Sequence, residues 1–159
     1  MKKGRILNQK LSEAIASMGH GDWILITDAG FPVPNDNRRI DLALEANVPT
    51  IQQVLSVILS DFIYERCIVT LEQKTNHPKL YSEIEAMIDR CKIETMPYPQ
   101  FMSEFAVKPK FFVRTGAFEP WGNIALCSGI DAPRWFWPEK GIIVPEHYID
   151  KVNYKEKGR

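Results

Sequence analysis

The sequence has no excess of charge. Its 20 lysines and arginines balance 20 aspartates and glutamates, so it offers no basic footprint for nucleic acid and no acidic tail. Nor does any apolar run approach the roughly 18 residues of a membrane span. The Met1-Lys2-Lys3 start lacks the apolar stretch of a signal peptide. A soluble, cytoplasmic protein is expected, with neither a membrane nor a nucleic-acid partner. Cysteine is scarce: Cys67, Cys91 and Cys127 are odd in number and widely spaced. Without the paired spacing of a zinc site, they are expected as buried reduced thiols, and no metal is assigned. No glycine-rich loop with a following lysine is present, which argues against nucleotide binding. Internal repeats and low-complexity segments are absent as well.

What the sequence does hold is one domain's length, 159 residues at 45% hydrophobic content, ample for a core. Asn8 caps a helix whose Leu11, Ile15 and Met18 share one face, and Gly19 ends it. Trp23 to Thr27 is a buried-type strand. The stretch Phe31-Pro32-Val33-Pro34-Asn35-Asp36-Asn37 is a loop. A short strand is expected from Arg39 to Leu44, and a helix capped by Thr50 from Ile51 to Phe62. Arg66 to Leu71 is apolar enough for a sheet covered on both faces. The pattern continues with a helix from Thr75 to about Cys91, a strand from Ile93 to Met96, a helix from Pro99 to Val107, a strand from Phe111 to Gly116 and a last one from Asn123 to Cys127. Alternating strands and helices make the class α/β, with a mainly parallel sheet flanked by helices. Residues 1–130 form this domain. Residues 131–159, with Trp135, Phe136 and Trp137 between Pro133 and Pro138 and a charged end, read as an extended arm with an apolar anchor, covering this subunit or a neighbour.

Chemistry concentrates around Met18-Gly19-His20-Gly21-Asp22 and Thr27-Asp28-Ala29-Gly30. His20 sits between glycines and projects from a turn, where a side chain that titrates near neutrality serves proton transfer; its plainer role is to complement the helix C-terminus. Asp28 lies where a strand hands over to a loop, the edge at which open α/β sheets bind ligands; its plainer role is to cap the turn. If both act in one cleft, the strand between them must fold back beside the turn. Trp121-Gly122-Asn123 supplies an aromatic face, a close-approach glycine and an amide, a set suited to stacking on a sugar and bonding its hydroxyls. His77, before Pro78, reads as a helix-start residue, and His147 lies in the arm.

These separated motifs, in this order, resemble the D-ribose pyranase and L-fucose mutarotase family (RbsD/FucU) over roughly Met1 to Ile130. The residues that carry the likeness are Met1-Lys2-Lys3-Gly4-Arg5-Ile6-Leu7-Asn8, Met18 to Asp22, Thr27 to Pro34, Arg39-Ile40-Asp41, Gly116, Trp121-Gly122-Asn123-Ile124 and Gly129. The resemblance implies a cofactor-free isomerase of a free monosaccharide, exchanging anomers or ring sizes. It implies His20 as acid/base, Asp28 as a sugar-binding or histidine-orienting carboxylate, and Trp121, Gly122 and Asn123 as substrate contacts. It also implies a ring-based homo-oligomer, typically a decamer, with active sites between neighbouring subunits. Two positions depart from the family pattern. Trp121 stands where tyrosine is usual, and Pro99 stands where a histidine or arginine contacts the sugar, which leaves Tyr98 and Gln100 as candidates for that contact. The alternative from another class is a non-catalytic sugar-binding or assembly protein.

Overall fold

A computed structural model describes residues 2–136 and 141–154. Two compact units divide the chain, Met1–Gly129 and Ile130–Arg159. In the first, Asn8 Oδ1 accepts the Leu11 N–H and opens α1 (Gln9–Ser17). β1 (Trp23–Thr27) and β2 (Arg39–Asp41) follow, then α2 (Ile51–Leu59), β3 (Tyr64–Thr70), α3 (Leu71–Asn76) and α4 (Pro78–Met87). β4 (Ile93–Met96), α5 (Tyr98–Phe105), β5 (Phe111–Arg114) and β6 (Ile124–Ser128) complete it.

The six strands lie in the order β2-β5-β1-β6-β3-β4. Five run parallel; β6 runs antiparallel to both its neighbours, β1 and β3. The carboxyl ends of the five parallel strands therefore share one edge with the start of β6. Alternation along the strands serves two cores. Ile24, Ile26, Ile124, Leu126 and Val69 face one side with α1, α2 and α4. Trp23, Leu25, Ala125 and Phe112 face the other, against Phe101 and Phe105 of α5. Each such side chain contributes about 1.5–3 kcal/mol on burial, so the sheet is a rigid base for whatever its edges carry.

Three expectations are corrected. The helix from Thr75 to Cys91 is two helices, because Pro78 disfavours helical backbone at His77, which lies at φ −131°, ψ 57° and instead caps α4. α2 stops at Leu59 rather than Phe62, with Phe62 buried beyond its end. The second unit is not extended. It forms α6 (Ala132–Trp135), a 3-10 turn (Glu146–Tyr148) and α7 (Ile149–Val152), since Pro133 sits in a first helical turn, where its missing N–H costs nothing. Within that unit Phe136 packs on Tyr148 at 5.1 Å, while Trp135 and Ile143 are exposed. Trp137 and Pro138 lie outside the described residues. No helix among the described residues is long and apolar enough to cross a membrane.

Candidate active site

At the amino edge of the sheet, α1 ends at Ser17 with Met18 as its C-cap, and the chain makes a tight turn into β1. Gly21 adopts φ +86°, which glycine tolerates without strain, and its N–H donates to Ser128 O at the end of β6 (2.9 Å). Asp22 Oδ2 accepts from Gly19 N–H (2.8 Å) and from Lys110 Nζ (2.7 Å). The Lys110 hydrogen bond, helped by the Gly19 N–H, holds the Asp22 carboxyl below the usual carboxylate range. The turn thus presents His20, whose side chain is 41% exposed and whose Nε2 lies 2.9 Å from Glu65 Oε1 at the start of β3.

At the carboxyl edge, Asp28 leaves β1 into a cavity of about 450 Å³ lined by Asp28, Ala29, Gly30, Arg114 and the loop from Ala117 to Pro120. Asn123, 2% exposed, grips Asp28 at both ends. Its Nδ2 donates to Asp28 Oδ2 (2.9 Å) and its Oδ1 accepts the Asp28 N–H (3.2 Å). Asp28 Oδ1 also accepts the Gly30 N–H (2.9 Å), so the turn-capping and site-facing roles of this carboxylate coexist. Arg114 forms a wall rather than a free cation: Nε donates to Ala29 O and Nη1 to both Asp41 oxygens (3.2 Å each). Burial pulls the Asp41 carboxyl up, but Arg39, the Ala43 N–H and Arg114 outweigh it and hold the group low.

His20 and Asp28 do not meet within one chain. β1 is paired along its length with β5 and β6 and cannot fold back, so its five residues separate the two groups by roughly 17 Å at about 3.3 Å per residue. Asp28 and Asn123 come together at the carboxyl edge, while Gly122 and a half-buried Trp121 precede Asn123 in the same loop and are not among the residues that line the cavity. Gln100 lies exposed in α5, after the outermost strand β4, with Tyr98 at the first position of that helix and its N–H on Glu72 Oε2 (2.9 Å). Motif reading missed Glu65, the Arg114–Asp41 pair, Gln73 and the pairing of His77 with Glu119, because each is joined to its partner only by the fold.

A model of the RbsD / FucU transport protein family matches residues 1–131. The chain belongs to this family. It is 45% identical to D-ribose pyranase 1 of Streptomyces griseus over 152 residues, which cover 96% of this chain and 100% of that protein. Among solved structures, Bacillus subtilis RbsD complexed with D-ribose superposes with a TM-score of 0.76 at 33% identity, covering 82% of this chain and 98% of that one. Fucose mutarotase from Streptococcus pneumoniae shares the fold at 22% identity, with a TM-score of 0.69 over 82% of this chain and 99% of its own. The RbsD/FucU fold is thus that of a six-stranded, mostly parallel sheet with its motif residues divided between two edges.

Proposed function

We propose that this monosaccharide pyranase/mutarotase acts on free D-ribose or a closely similar sugar, with His20 as its proton carrier. The observation that carries the choice of sugar is the 45% identity to a D-ribose pyranase across nearly the whole chain. A cavity of about 450 Å³ is ample for one pentose. Asp28, oriented by Asn123, accepts from sugar hydroxyls, while Trp121 offers its face to the C–H surface.

In the reaction a base removes the proton of the anomeric hydroxyl as the bond from that carbon to the ring oxygen breaks. The ring oxygen takes a proton, and an open-chain aldehyde results. Readdition of the same hydroxyl to the other face exchanges anomers; addition of a different hydroxyl changes ring size. One histidine can relay the proton, a contribution typically worth ~10²–10⁴-fold, and the chemistry calls on no cofactor.

Because His20 and Asp28 sit at opposite edges of one sheet, the working site is built from two copies of the chain. The amino edge of one subunit docks against the carboxyl edge of the next. A closed ring satisfies every such heterologous contact, and we assign a ring-based homo-oligomer of decameric type. Gln100 or Tyr98 supplies the remaining sugar contact. Three free thiols suit a reducing cytoplasm.

NMR exchange spectroscopy with ribose and fucose, comparing the protein with His20→Ala, tests the reading. Faster exchange between ring-form signals of ribose, lost in the variant, is expected. Saturation transfer from bound sugar without faster exchange makes the protein a binder rather than an isomerase, and fucose as the better substrate overturns the choice of sugar.

A further inference from the structure

The loop between β5 and β6 takes a shape its own residues disfavour. Trp121 adopts φ +57°, a region that bulky side chains rarely enter, and such a conformation persists only where its surroundings enforce it. Gly122 follows at once with its N–H on Glu119 O (2.9 Å), and a Cβ on Gly122 would stand 2.8 Å from that same oxygen. Besides these bonds within the loop, two side chains from the segment after β3 hold this turn.

Gln73, on α3 and wholly buried, donates from Nε2 to Trp121 O at 2.7 Å. Its own backbone N–H is held by Thr70 Oγ1 at the end of β3 (3.0 Å), which ties the amide to the sheet. Gln73 Oε1 has no partner among the described residues. A buried amide with one end unsatisfied is worse for stability than an apolar side chain of the same shape, so what it contributes is the bond to Trp121. One turn on, His77 Nδ1 accepts the Leu80 N–H (3.2 Å). That bond assigns the ring proton to Nε2, which donates to Glu119 Oε2 at 2.7 Å.

We propose that Gln73 and His77 are positioning residues, which lock the Glu119–Asn123 turn in the conformation that presents Trp121 to the sugar and keeps Asn123 on Asp28. The role in catalysis rests on the sugar-isomerase reading above. Neither residue touches the substrate. They act through Trp121 and Glu119, so losing them weakens binding more than the proton transfer carried by His20.

The test uses the full-length protein with Gln73→Leu, which keeps the bulk and removes the donor, and His77→Asn. Asparagine still caps α4 but is too short to reach Glu119. Two readouts are taken: KM and kcat for ring-form exchange, and hydrogen exchange by mass spectrometry on peptides spanning the turn, in sugar-free protein. We expect KM to rise ~10-fold in Gln73→Leu and ~3-fold in His77→Asn, with kcat within about threefold of wild type. Turn amides should exchange ~10-fold faster in both variants while α2 and β1 stay protected. Unchanged KM and unchanged turn exchange overturn the proposal, even if the melting temperature falls, since that is the signature of a merely structural role. Should Gln73→Leu fail to fold, His77→Asn decides alone. A wild-type protein inert toward every sugar overturns the functional reading instead, and turn exchange still decides whether Gln73 and His77 hold the loop.

Discussion

The two edges of the sheet are built on different principles. At the carboxyl edge Asp28 is fixed by the buried Asn123, Arg114 is spent on Asp41 and Ala29, and the loop before β6 is clamped from α3 and α4. At the amino edge a single imidazole stands on a glycine turn, half in solvent, with one carboxylate beside it. One edge holds its polar groups fixed by several hydrogen bonds each. The other leaves its histidine partly open to solvent, with the Glu65 carboxylate 2.9 Å away. Neither edge alone holds both His20 and Asp28, which is why the site proposed above draws on a second copy of the chain.

The sharpest way to break the comparison is to disable the edges separately. His20→Ala should lower ring-form exchange at least ~100-fold, with far-UV circular dichroism unchanged, because an exposed turn residue contributes little to folding. Mixing unfolded His20→Ala and Asp28→Asn chains and refolding them together should then restore about a quarter of wild-type exchange, the statistical share of sites that draw both intact groups. A mixture as inactive as its components would mean that the edges do not meet between copies.

Next in size is the rigid edge itself. Asn123→Ala removes both bonds to Asp28 and should cost about 2 kcal/mol in urea denaturation, together with a rise in KM. An unchanged KM would show that Asp28 needs no orienting partner. At the opposite edge, Gly21→Ala meets no atom within 4 Å and pays only for its positive φ, so about 1 kcal/mol is expected. A larger loss would show that the turn is as constrained as the carboxyl edge.

The smallest effect is shared by both edges. Asp22 and Asp41 have carboxyls held below the ordinary range. A folded-state pKa below the unfolded one stabilises the protein above about pH 3.9, and that contribution fades as pH falls through the folded value. Urea midpoints measured from pH 5 down to pH 2.5 should show Asp22→Asn and Asp41→Asn each flattening the acid slope slightly, as expected for mostly exposed, screened pairs. A slope that neither variant alters would place the acid sensitivity elsewhere.

Local signals were readable from the chain alone. Asn8 and Thr50 cap helices through bonds that reach three residues, so their role shows in any short window of sequence. Apolar runs marked β1, β3, β5 and β6 for the same reason. The Asn123–Asp28 bonds span 95 positions, His20–Glu65 spans 45 and Gln73–Trp121 spans 48, and nothing in a neighbouring residue announces such a partner. The reversed direction of β6 is intermediate. Residues 115–123 carry no helix, so the chain stays at the carboxyl edge after β5 and must run back. The nine-residue link is shorter than a parallel crossover requires.

Hydrophobic period was enough to determine the α/β class, and the order of the quoted motifs carried the resemblance to the family and marked His20 and Asp28 as the groups to watch, because each depends on residue type and short-range spacing. Only the tertiary structure decided that those two groups face opposite ways, that Asn123 is spent on Asp28, and that Gln73 and His77 brace the Trp121 turn. Hydrogen bonds between distant segments form once the sheet order sets which strand ends are neighbours, and that order is a property of the whole packed chain.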